Sequence, residues 1–243
     1  MEDNYILNVI LSFKSMSLLK PYQLIADEVD FVVISKAANV HFHSQTGEAG
    51  VAAILEQDMG IKLYPVHRLD TVTSGLLIFA KTLEATRIFS QLFVAHKVQK
   101  YYLALAKGKP KKKQGSIIGD MAKSRRSQYK LLRSKENPAI TQFFSQSIGD
   151  GVRCYLLKPL SGKTHQLRVA LSSLGTPILG DELYGCDTSD RTYLHAWQLE
   201  FSYQEKQYHF VAKPDFGELF SLTAVTEQLE KWQQPNSLSW PQR

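Results

Sequence analysis

Residues 64–80 decide how this chain folds, and they read YPVHRLDTVTSGLLIFA. Polar and small residues are frequent up to Gly75, and the five residues that follow it are all apolar. A short apolar run bounded by turn residues predicts a buried strand. We therefore expect a polar loop with His67, Arg68 and Asp70 that is held against the core by the strand at 76–80.

The flanking sequence predicts a helix on each side of this strand. Residues 51–57 form a short helical pattern, and Gly60 is placed to end it as a C-terminal glycine. Thr82 is a capping residue for the second helix, whose apolar residues recur at helical spacing and predict one buried face. These residues are Ala85, Ile88, Phe89, Leu92 and Phe93.

The rest of the chain alternates short strand patterns with polar turns. The predicted strands are 31–34, 101–106, 127–132, 139–145, 153–157, 193–194, 199–203 and 208–211. Two further helices are predicted at 167–174, where Gly175 ends the pattern, and at 223–232. Many strands and few helices indicate an α+β fold built on a mixed, largely antiparallel central sheet with flanking helices and loops.

Length and composition are those of an ordinary globular protein. The chain has 243 residues, of which 44% are hydrophobic and 21% charged, which suits one domain or a closely joined pair. We divide it into an N-terminal extension (1–23), a main domain (24–220), and a C-terminal helix and tail (221–243). Residues 5–13 are too short to span a bilayer and lack the flanks of a secretory signal. We therefore expect a cytoplasmic protein without membrane association, starting at Met1 or Met16.

The cysteines predict neither a metal site nor a disulfide. Cys154 and Cys186 are the only two, and they are not spaced as C-x-x-C. No histidine stands near them in a ligand pattern, so a zinc site is disfavoured. We expect two reduced thiols.

Positive charge is concentrated in one segment. Residues 97–135 hold 13 Lys or Arg and one acid, Asp120, whereas the remaining residues together carry a net charge of −6. A concentrated basic stretch is typical of a site for a polyanion, although lysine-rich loops also occur as solvated surface. With Tyr129 close to the basic residues, the segment favours nucleic acid as the partner.

Asp70 is the candidate for chemistry, although its residue type alone does not decide its role. A carboxylate in a loop rich in Thr, Ser and Gly is most often a turn former or a helix cap. His67 and Arg68 directly before it could instead hold a charged carboxylate in place. Glycoside hydrolysis by a pair of carboxylates is poorly supported, because no second acid has a recognisable pattern.

These residues carry a resemblance to a known family. HRLD at 67–70, TSGLL at 73–77 and AK at 80–81 resemble the central motif of the RluA-type RNA pseudouridine synthases. Residues 98–105 are similar to the family's second segment, PLSGKTHQLRV at 159–169 to its third, and GDELYG at 180–185 with LHA at 194–196 to its later pattern. The resemblance covers residues 25–215. An N-terminal module of the S4 type is not expected, because too few residues precede position 25.

The resemblance implies an isomerase that acts on RNA without a cofactor or metal. The bond between ribose C1′ and uracil N1 is broken, the base rotates, and C5 is joined to C1′ in a cleft across the sheet. By the same resemblance Asp70 is the nucleophile, Tyr102 stacks on the flipped uracil, and Arg168 is the basic partner of Asp70. A nearby guanidinium favours an ionised carboxylate. Whether Asp70 attacks C1′ or first removes a sugar proton stays open.

Further residues are assigned to substrate binding near the reacting base. Leu167 is expected to pack against the uracil, and Arg68 to fill the space that the base leaves in the RNA. His67 and Thr73 belong to the same loop, and His67 is also interpretable as a support for that loop alone.

The basic segment supplies the contacts to the RNA backbone. Lys112, Arg125 and Arg126 are expected to bind phosphates on one side of the cleft. The expected substrate is a structured stem-loop of tRNA or rRNA, and the expected oligomeric state is a monomer.

Two departures and two alternatives accompany this interpretation. The family's early Asn-Lys-Pro segment, with a glycine soon after, is replaced by SKAAN at 35–39, which leaves the local turn uncertain, and Ala170 stands where a histidine is common. A catalytically silent RNA-binding or chaperone protein on the same scaffold is the first alternative. A hydrolase that releases free uracil is the second.

Overall fold

The fold was analysed in a computed structural model that describes residues 20–45, 47–185 and 188–242. Residues 5–13, Met16 and Cys186, all of which entered the sequence predictions, lie outside these ranges. In the described part of the chain, no helix is long and apolar enough to cross a membrane. Cys154 is a buried free thiol, and burial raises its pKa to about 12.

A large twisted sheet forms the centre of the described chain. Its strands are β1 Tyr22–Asp27, β2 Phe31–Lys36, β3 Tyr64–Pro65, β4 Ser74–Ala80, β5 Gln99–Lys107, β6 Gln114–Gly119, β9 Ala139–Gly149, β10 Val152–Pro159, β11 Leu194–Tyr203 and β12 Lys206–Val211. The main path runs in the order β1-β2-β4-β11-β5-β10-β9-β6, with β12 paired to β11 and β3 paired to β4. Every pair is antiparallel except β4 with β11, which confirms the predicted mixed, largely antiparallel sheet.

Four α-helices flank the sheet in the described ranges, at the positions that the sequence predicts. They are α1 Val51–Met59, α2 Leu83–Val94, α3 Gln166–Ser173 and α4 Thr223–Lys231. Gly60 ends α1 in the left-handed conformation. The side chain of Thr82 accepts the N–H of Ala85 at the start of α2, as a capping residue does.

The central strands are buried on both faces. Alternate side chains of β4 enter two different apolar clusters, with Leu77 and Phe79 in one and Leu76 and Ile78 in the other. Helices α1, α3 and α4 contribute to the first cluster, whereas α2 contributes to the second. A strand enclosed in this way has no freedom to shift its register, because a shift by one residue would exchange its faces. The loop before β4 is therefore anchored at a fixed point.

The turn that the sequence left uncertain forms without proline or glycine. After β2 ends at Lys36, Asn39 adopts φ 60°, the left-handed conformation that asparagine tolerates better than most residues. The N–H of Ala37 donates to the carbonyl of Pro21 and closes the turn against the start of β1.

Four strands were not predicted, and one prediction was too long. β1, β3, β6 and β7 (Met121–Lys123) have few of the apolar alternations that mark a strand. The strand predicted at 127–132 is reduced to β8, Tyr129–Leu131, which pairs with β7 as a separate hairpin. Arg126 and Ser127 adopt φ 54° and 59°, so the chain before β8 is a tight turn and not an extended strand.

The C-terminal segment packs closely on the main sheet. Val225 and Trp232 are buried in the first apolar cluster, and the ring of Trp240 stacks on Tyr101 of β5 at 5.9 Å. At the other end, β1 begins at Tyr22. The division at 23/24 and 220/221 stays a prediction.

The single parallel pairing depends on a glycine. Gly75 has φ +107°, and a Cβ atom at this position would lie 2.2 Å from the carbonyl oxygen of Ala196 on β11. No other residue type fits between β4 and β11 at this distance, so Gly75 allows the loop before β4 to reach the centre of the sheet.

We expect Gly75→Ala to lower the free energy of unfolding by at least ~3 kcal/mol, because it adds a backbone clash to the cost of a positive φ. Gly149→Ala is the matched control: Gly149 has φ +105° with no atom within 4 Å of its would-be Cβ, and its expected cost is ~1–2 kcal/mol. Denaturant unfolding followed by tryptophan fluorescence measures both. Equal losses in the two variants would contradict the close approach of β4 and β11.

Candidate active site

A cleft of about 420 Å³ opens where the central strands β4, β5, β10 and β11 meet. Its walls come from the loop at 66–73, the end of α2 and the residue His96 after it, the start of β5 with Lys100 and Tyr102, residues 159–168, which lead from β10 into α3, and Leu194 of β11. The cleft thus crosses the sheet, and most of its lining belongs to segments whose sequence carries the motifs.

Asp70 and Arg168 meet in this cleft although they are 98 positions apart. Nη1 of Arg168 lies 3.4 Å from Oδ2 of Asp70. The other side of the same guanidinium forms two hydrogen bonds to Asp181, from Nε to Oδ2 at 2.7 Å and from Nη2 to Oδ1 at 2.8 Å. Asp181 is fully buried, whereas the side chain of Asp70 is 21% exposed. Asp181 therefore fixes the guanidinium of Arg168, and the remaining nitrogen of that group contacts Asp70, whose carboxylate faces the cleft.

A buried lysine supports the backbone of the same loop. Lys36 is 1% exposed, and its ammonium group donates to the carbonyls of Ala37, Val40 and Thr71. Burial and the charge of Arg191 lower the pKa of Lys36 to about 7, against the opposing effect of Asp70. This contact ties the residue after Asp70 to the turn that follows β2. Sequence analysis did not select Lys36 as a site residue, although it stands at the lysine of the segment SKAAN that replaces the family's Asn-Lys-Pro.

His67 has a structural role in the loop. Its Nε2 accepts the backbone N–H of Ile78 on β4 at 2.9 Å, and its ring packs on Phe93 of α2 at 4.8 Å. Burial, together with the nearby Lys100, lowers the pKa of His67 to about 3. The ring is consequently neutral, and its Nε2 is already used as the acceptor of the Ile78 N–H. It also lines the cleft, and its assignment to substrate binding stays a prediction.

The other residues predicted near the base surround the same cleft. Tyr102 on β5 and Leu167 at the start of α3 are both largely buried. Burial raises the pKa of Tyr102, and the charge of Asp70 adds to the effect, so the phenol is neutral. Thr73 is buried behind Asp70, and its N–H donates to the Asp70 carbonyl. Arg68 is exposed at the rim.

The β7–β8 hairpin brings Arg125 and Arg126 next to the cleft. Both arginines are exposed at the tip of the hairpin. The ring of Tyr129, at the base of the tip, lies 5.6 Å from that of His165 in the cleft wall. The backbone N–H of Tyr129 also donates to the hydroxyl of Tyr184 at 2.8 Å, and the amide of Gln128 donates to the carbonyl of Leu183.

Lys112 lies elsewhere, which corrects the expectation that both basic runs line one side of the cleft. In β5, Tyr102 pairs with Leu157 at the cleft, whereas Lys107 pairs with Val152 at the other end of β10. Five residues of strand separate the two positions, or about 17 Å. The lysines at 109–113 follow Lys107 and lie near the C-terminal end of α3, since Gly108 approaches Gly175.

A buried polar network below the loop was also missed. The hydroxyl of Ser74, the first residue of β4, accepts from Nη2 of Arg191 at 2.6 Å and lies 2.7 Å from Nδ1 of His195. Nε2 of His195 donates to the carbonyl of Ala212 at 2.7 Å. The network fixes the start of β4, three positions after Thr71. Ser74 and His195 lie in stretches that resemble the family motifs but were not selected as site residues, and Arg191 does not stand out in the sequence because it belongs to a short polar run.

Comparisons with known proteins agree on one family. The model of the RNA pseudouridylate synthase family matches residues 30–173, which include Asp70, Tyr102 and Arg168. An uncharacterized RNA pseudouridine synthase of Haemophilus influenzae is 47% identical over 211 residues, 86% of this chain and 94% of that protein. A ribosomal large subunit pseudouridine synthase D of Borreliella burgdorferi is 38% identical over 141 residues, 56% of this chain and 43% of that protein. Human RNA pseudouridylate synthase domain containing 1 superimposes with a TM-score of 0.71 at 25% identity, covering 88% of this chain and 95% of that one.

The neutral state of His67 predicts an acid-dependent loss of stability. The pKa of about 3 in the folded protein is below the ordinary value of 6.5, so between these values the unfolded chain binds a proton that the folded protein does not. Stability must then fall with decreasing pH, by up to ~1.4 kcal/mol per pH unit from this residue. We expect His67→Gln to reduce that slope below pH 6.5 and to leave the slope between pH 7 and 8 unchanged. Denaturant titrations at each pH test this, and parallel curves for the two proteins throughout would contradict a buried neutral His67.

Proposed function

Because the chain belongs to the RNA pseudouridylate synthase family, and is thus an isomerase that converts uridine to pseudouridine in RNA, we propose that Asp70 is its reactive carboxylate. The family resemblance noted in the sequence is confirmed. One observation carries the proposal: among the described residues that line the cleft, Asp70 is the only carboxylate. Hydrolysis by two cooperating carboxylates has no second group in this site.

The contacts of Arg168 support a nucleophilic role for Asp70. Two of its three guanidinium nitrogens are engaged by buried Asp181, and the third lies against Asp70 from the inner side. This arrangement sets a fixed positive charge beside the Asp70 carboxylate. A carboxylate held in this way is suited to attack on C1′ or to removal of a sugar proton.

The cleft accounts for the remaining steps of the isomerisation. Tyr102 and Leu167 provide an apolar wall against which a flipped uracil can lie while the C1′–N1 bond is broken and the C5–C1′ bond is formed. A base in folded RNA must leave its stack to reach this wall. Arg68, exposed at the rim, is placed to occupy the space that the base leaves.

The hairpin supports a structured RNA as the substrate. Arg125 and Arg126, on the hairpin whose Tyr129 contacts the cleft residue His165, are suited to the phosphates that flank the target nucleotide. Lys112 follows the end of β5 that lies about 17 Å from Tyr102, so it is suited to a more distant part of the same RNA. We assign the substrate to a stem-loop of tRNA or rRNA, since a related protein from Borreliella burgdorferi is named for the ribosomal large subunit. The catalytic domain is assigned to residues 24–220, the oligomeric state to a monomer, and the location to the cytoplasm.

Asp70→Asn is expected to reduce pseudouridine formation at least ~1,000-fold, because an amide is not a nucleophile of comparable strength. Total RNA from a deletion strain is incubated with the purified protein, and new pseudouridines are mapped by carbodiimide-blocked primer extension. Asp150→Asn is the matched control. Asp150 lies in the exposed turn between β9 and β10 with φ 48°, a conformation that asparagine also accepts.

Three results would contradict this assignment. Full activity of Asp70→Asn would show that another group is the nucleophile. RNA binding without any modification by the wild-type protein would favour the silent binding protein. Release of free uracil would favour the hydrolase.

The placement of the basic residues predicts unequal contributions to RNA binding. Replacing Arg125 and Arg126 together by Gln should weaken binding and lower the slope of log K against log salt by about 0.7–0.9 for each phosphate that is no longer neutralised. Lys111→Gln with Lys112→Gln removes the same charge and should change the slope less than half as much. Filter binding at several salt concentrations measures both, and a larger effect of the lysine pair would place the main RNA contact at the far end of the sheet.

A further inference from the structure

His165 is a cleft residue that the proposed chemistry does not use. It precedes α3 with φ 57°, a conformation that residues other than glycine adopt rarely and that tends to occur at functional sites. It directly precedes the first residue of the helix, and both His165 and Arg168 line the cleft. Its ring is half-buried in the cleft wall.

The hydrogen bonds of Tyr184 favour one tautomer of His165. Nδ1 of His165 lies 2.9 Å from the Tyr184 hydroxyl, which also accepts the N–H of Tyr129. A backbone N–H can only donate, so it occupies one acceptor site of the hydroxyl and favours donation of the hydroxyl hydrogen to Nδ1. In that arrangement the neutral imidazole carries its hydrogen on Nε2. This is the nitrogen that, among the described residues, makes no hydrogen bond to the protein.

The surroundings keep the ring neutral and fixed. Burial is the main cause of a lowered pKa for His165; Asp70 and Asp181 oppose it, and Arg168 and Arg68 reinforce it. The rings of Tyr129 and Tyr184 meet the imidazole nearly at right angles, at 5.6 and 5.7 Å. A neutral N–H donor in a set orientation matches an uncharged acceptor such as a base carbonyl, whereas the phosphates have arginines to pair with.

We propose that His165 donates a hydrogen bond from Nε2 to a carbonyl oxygen of the uracil that is isomerised. This rests on the proposed function of the cleft. When the C1′–N1 bond breaks, its electron pair stays with the base and the negative charge spreads onto O2 and O4. After the base rotates, an electron pair of the base forms the C5–C1′ bond. C5 then loses its proton and N1 gains one, by exchange with the solvent, so atoms and charge balance. A donor already aimed at one of these oxygens stabilises the charge as it develops. Tyr184 is a positioning residue, because it acts on the base only through His165.

The first experiment separates this contact from general RNA binding. Single-turnover rates and dissociation constants are measured on a synthetic stem-loop that contains the uridine mapped above. His165→Ala should lower the rate roughly 10- to 100-fold while the dissociation constant changes less than about threefold, as expected for a single neutral contact. His43→Ala, a change at an exposed histidine after β2, is the matched control and should retain the wild-type rate.

A second experiment identifies the acceptor. The same stem-loop is made with 2-thiouridine or with 4-thiouridine at the target position, because sulfur is a poorer acceptor than a carbonyl oxygen. The rate loss caused by His165→Ala should shrink for one of the two thio substrates and stay full for the other, as in a double-mutant cycle. A loss that is the same for all three substrates would move the contact from the base to the sugar or phosphate and overturn the proposal.

A third measurement tests Tyr184 without RNA. In protein with ¹⁵N-labelled histidine, the imidazole nitrogen signals should show Nε2 protonated and Nδ1 unprotonated for His165 at neutral pH. Tyr184→Phe keeps the ring but removes the hydroxyl, and the preference for the Nε2–H form should decrease. A wild-type ring protonated at Nδ1 would overturn the assignment.

The outcomes also separate this proposal from the role of Asp70. If the wild-type protein is active, Asp70→Asn is inactive and His165→Ala is as fast as the wild type, only the contact of His165 is refuted. If Asp70→Asn remains active while His165→Ala is slow, the nucleophile is wrong and the contact stands.

Discussion

The buried ion pair between Arg168 and Asp181 is the interaction on which the rest of the site depends. Both side chains are almost entirely removed from solvent, and two such charges are tolerated only when each is fully paired. Asp181 meets this condition with the guanidinium and with the backbone N–H groups of Leu183 and Tyr184. The carboxylate of Asp181 thereby connects helix α3, through Arg168, with residues 183–184. Tyr184 in turn accepts the N–H of Tyr129 and so connects them with the β7–β8 hairpin.

The loop with Asp70 is held from the opposite direction by the sheet. Gly75 permits the close parallel approach of β4 to β11, the buried Ser74 network fixes the first residue of β4, and Lys36 holds the carbonyl of Thr71. Asp70 consequently has little backbone freedom, although its carboxylate reaches the cleft. A group held in this way does not have to be ordered when a ligand binds in the cleft.

The sequence predicted the parts of the molecule that follow a local rule. The four helices, the apolar strand after Gly75 and the caps at Thr82 and Gly60 all follow from periodicity and turn chemistry. The family motif singled out Asp70, Tyr102 and Arg168, and these residues do line one cleft. Lys36, Asp181 and Arg191 were not selected as site residues, because their roles arise from burial and from partners distant in sequence. The two basic runs, at 107–113 and 123–133, were also predicted to lie on one side of the cleft. The sequence shows their charge, but the distance between them depends on how the strands are arranged in the sheet.

Burial of Arg168 also protects its contact with Asp70 from a polyanionic substrate. The phosphates of RNA compete for accessible arginines, and an arginine bound to a phosphate is no longer available to a neighbouring carboxylate. Arg168 is 6% exposed and donates two hydrogen bonds to Asp181. Its guanidinium is therefore shielded from phosphates and fixed in orientation. Arg68 on the rim and Arg125 and Arg126 on the hairpin are exposed to solvent. The structure therefore separates one enclosed arginine, which is paired with two carboxylates, from several arginines that a phosphate can reach.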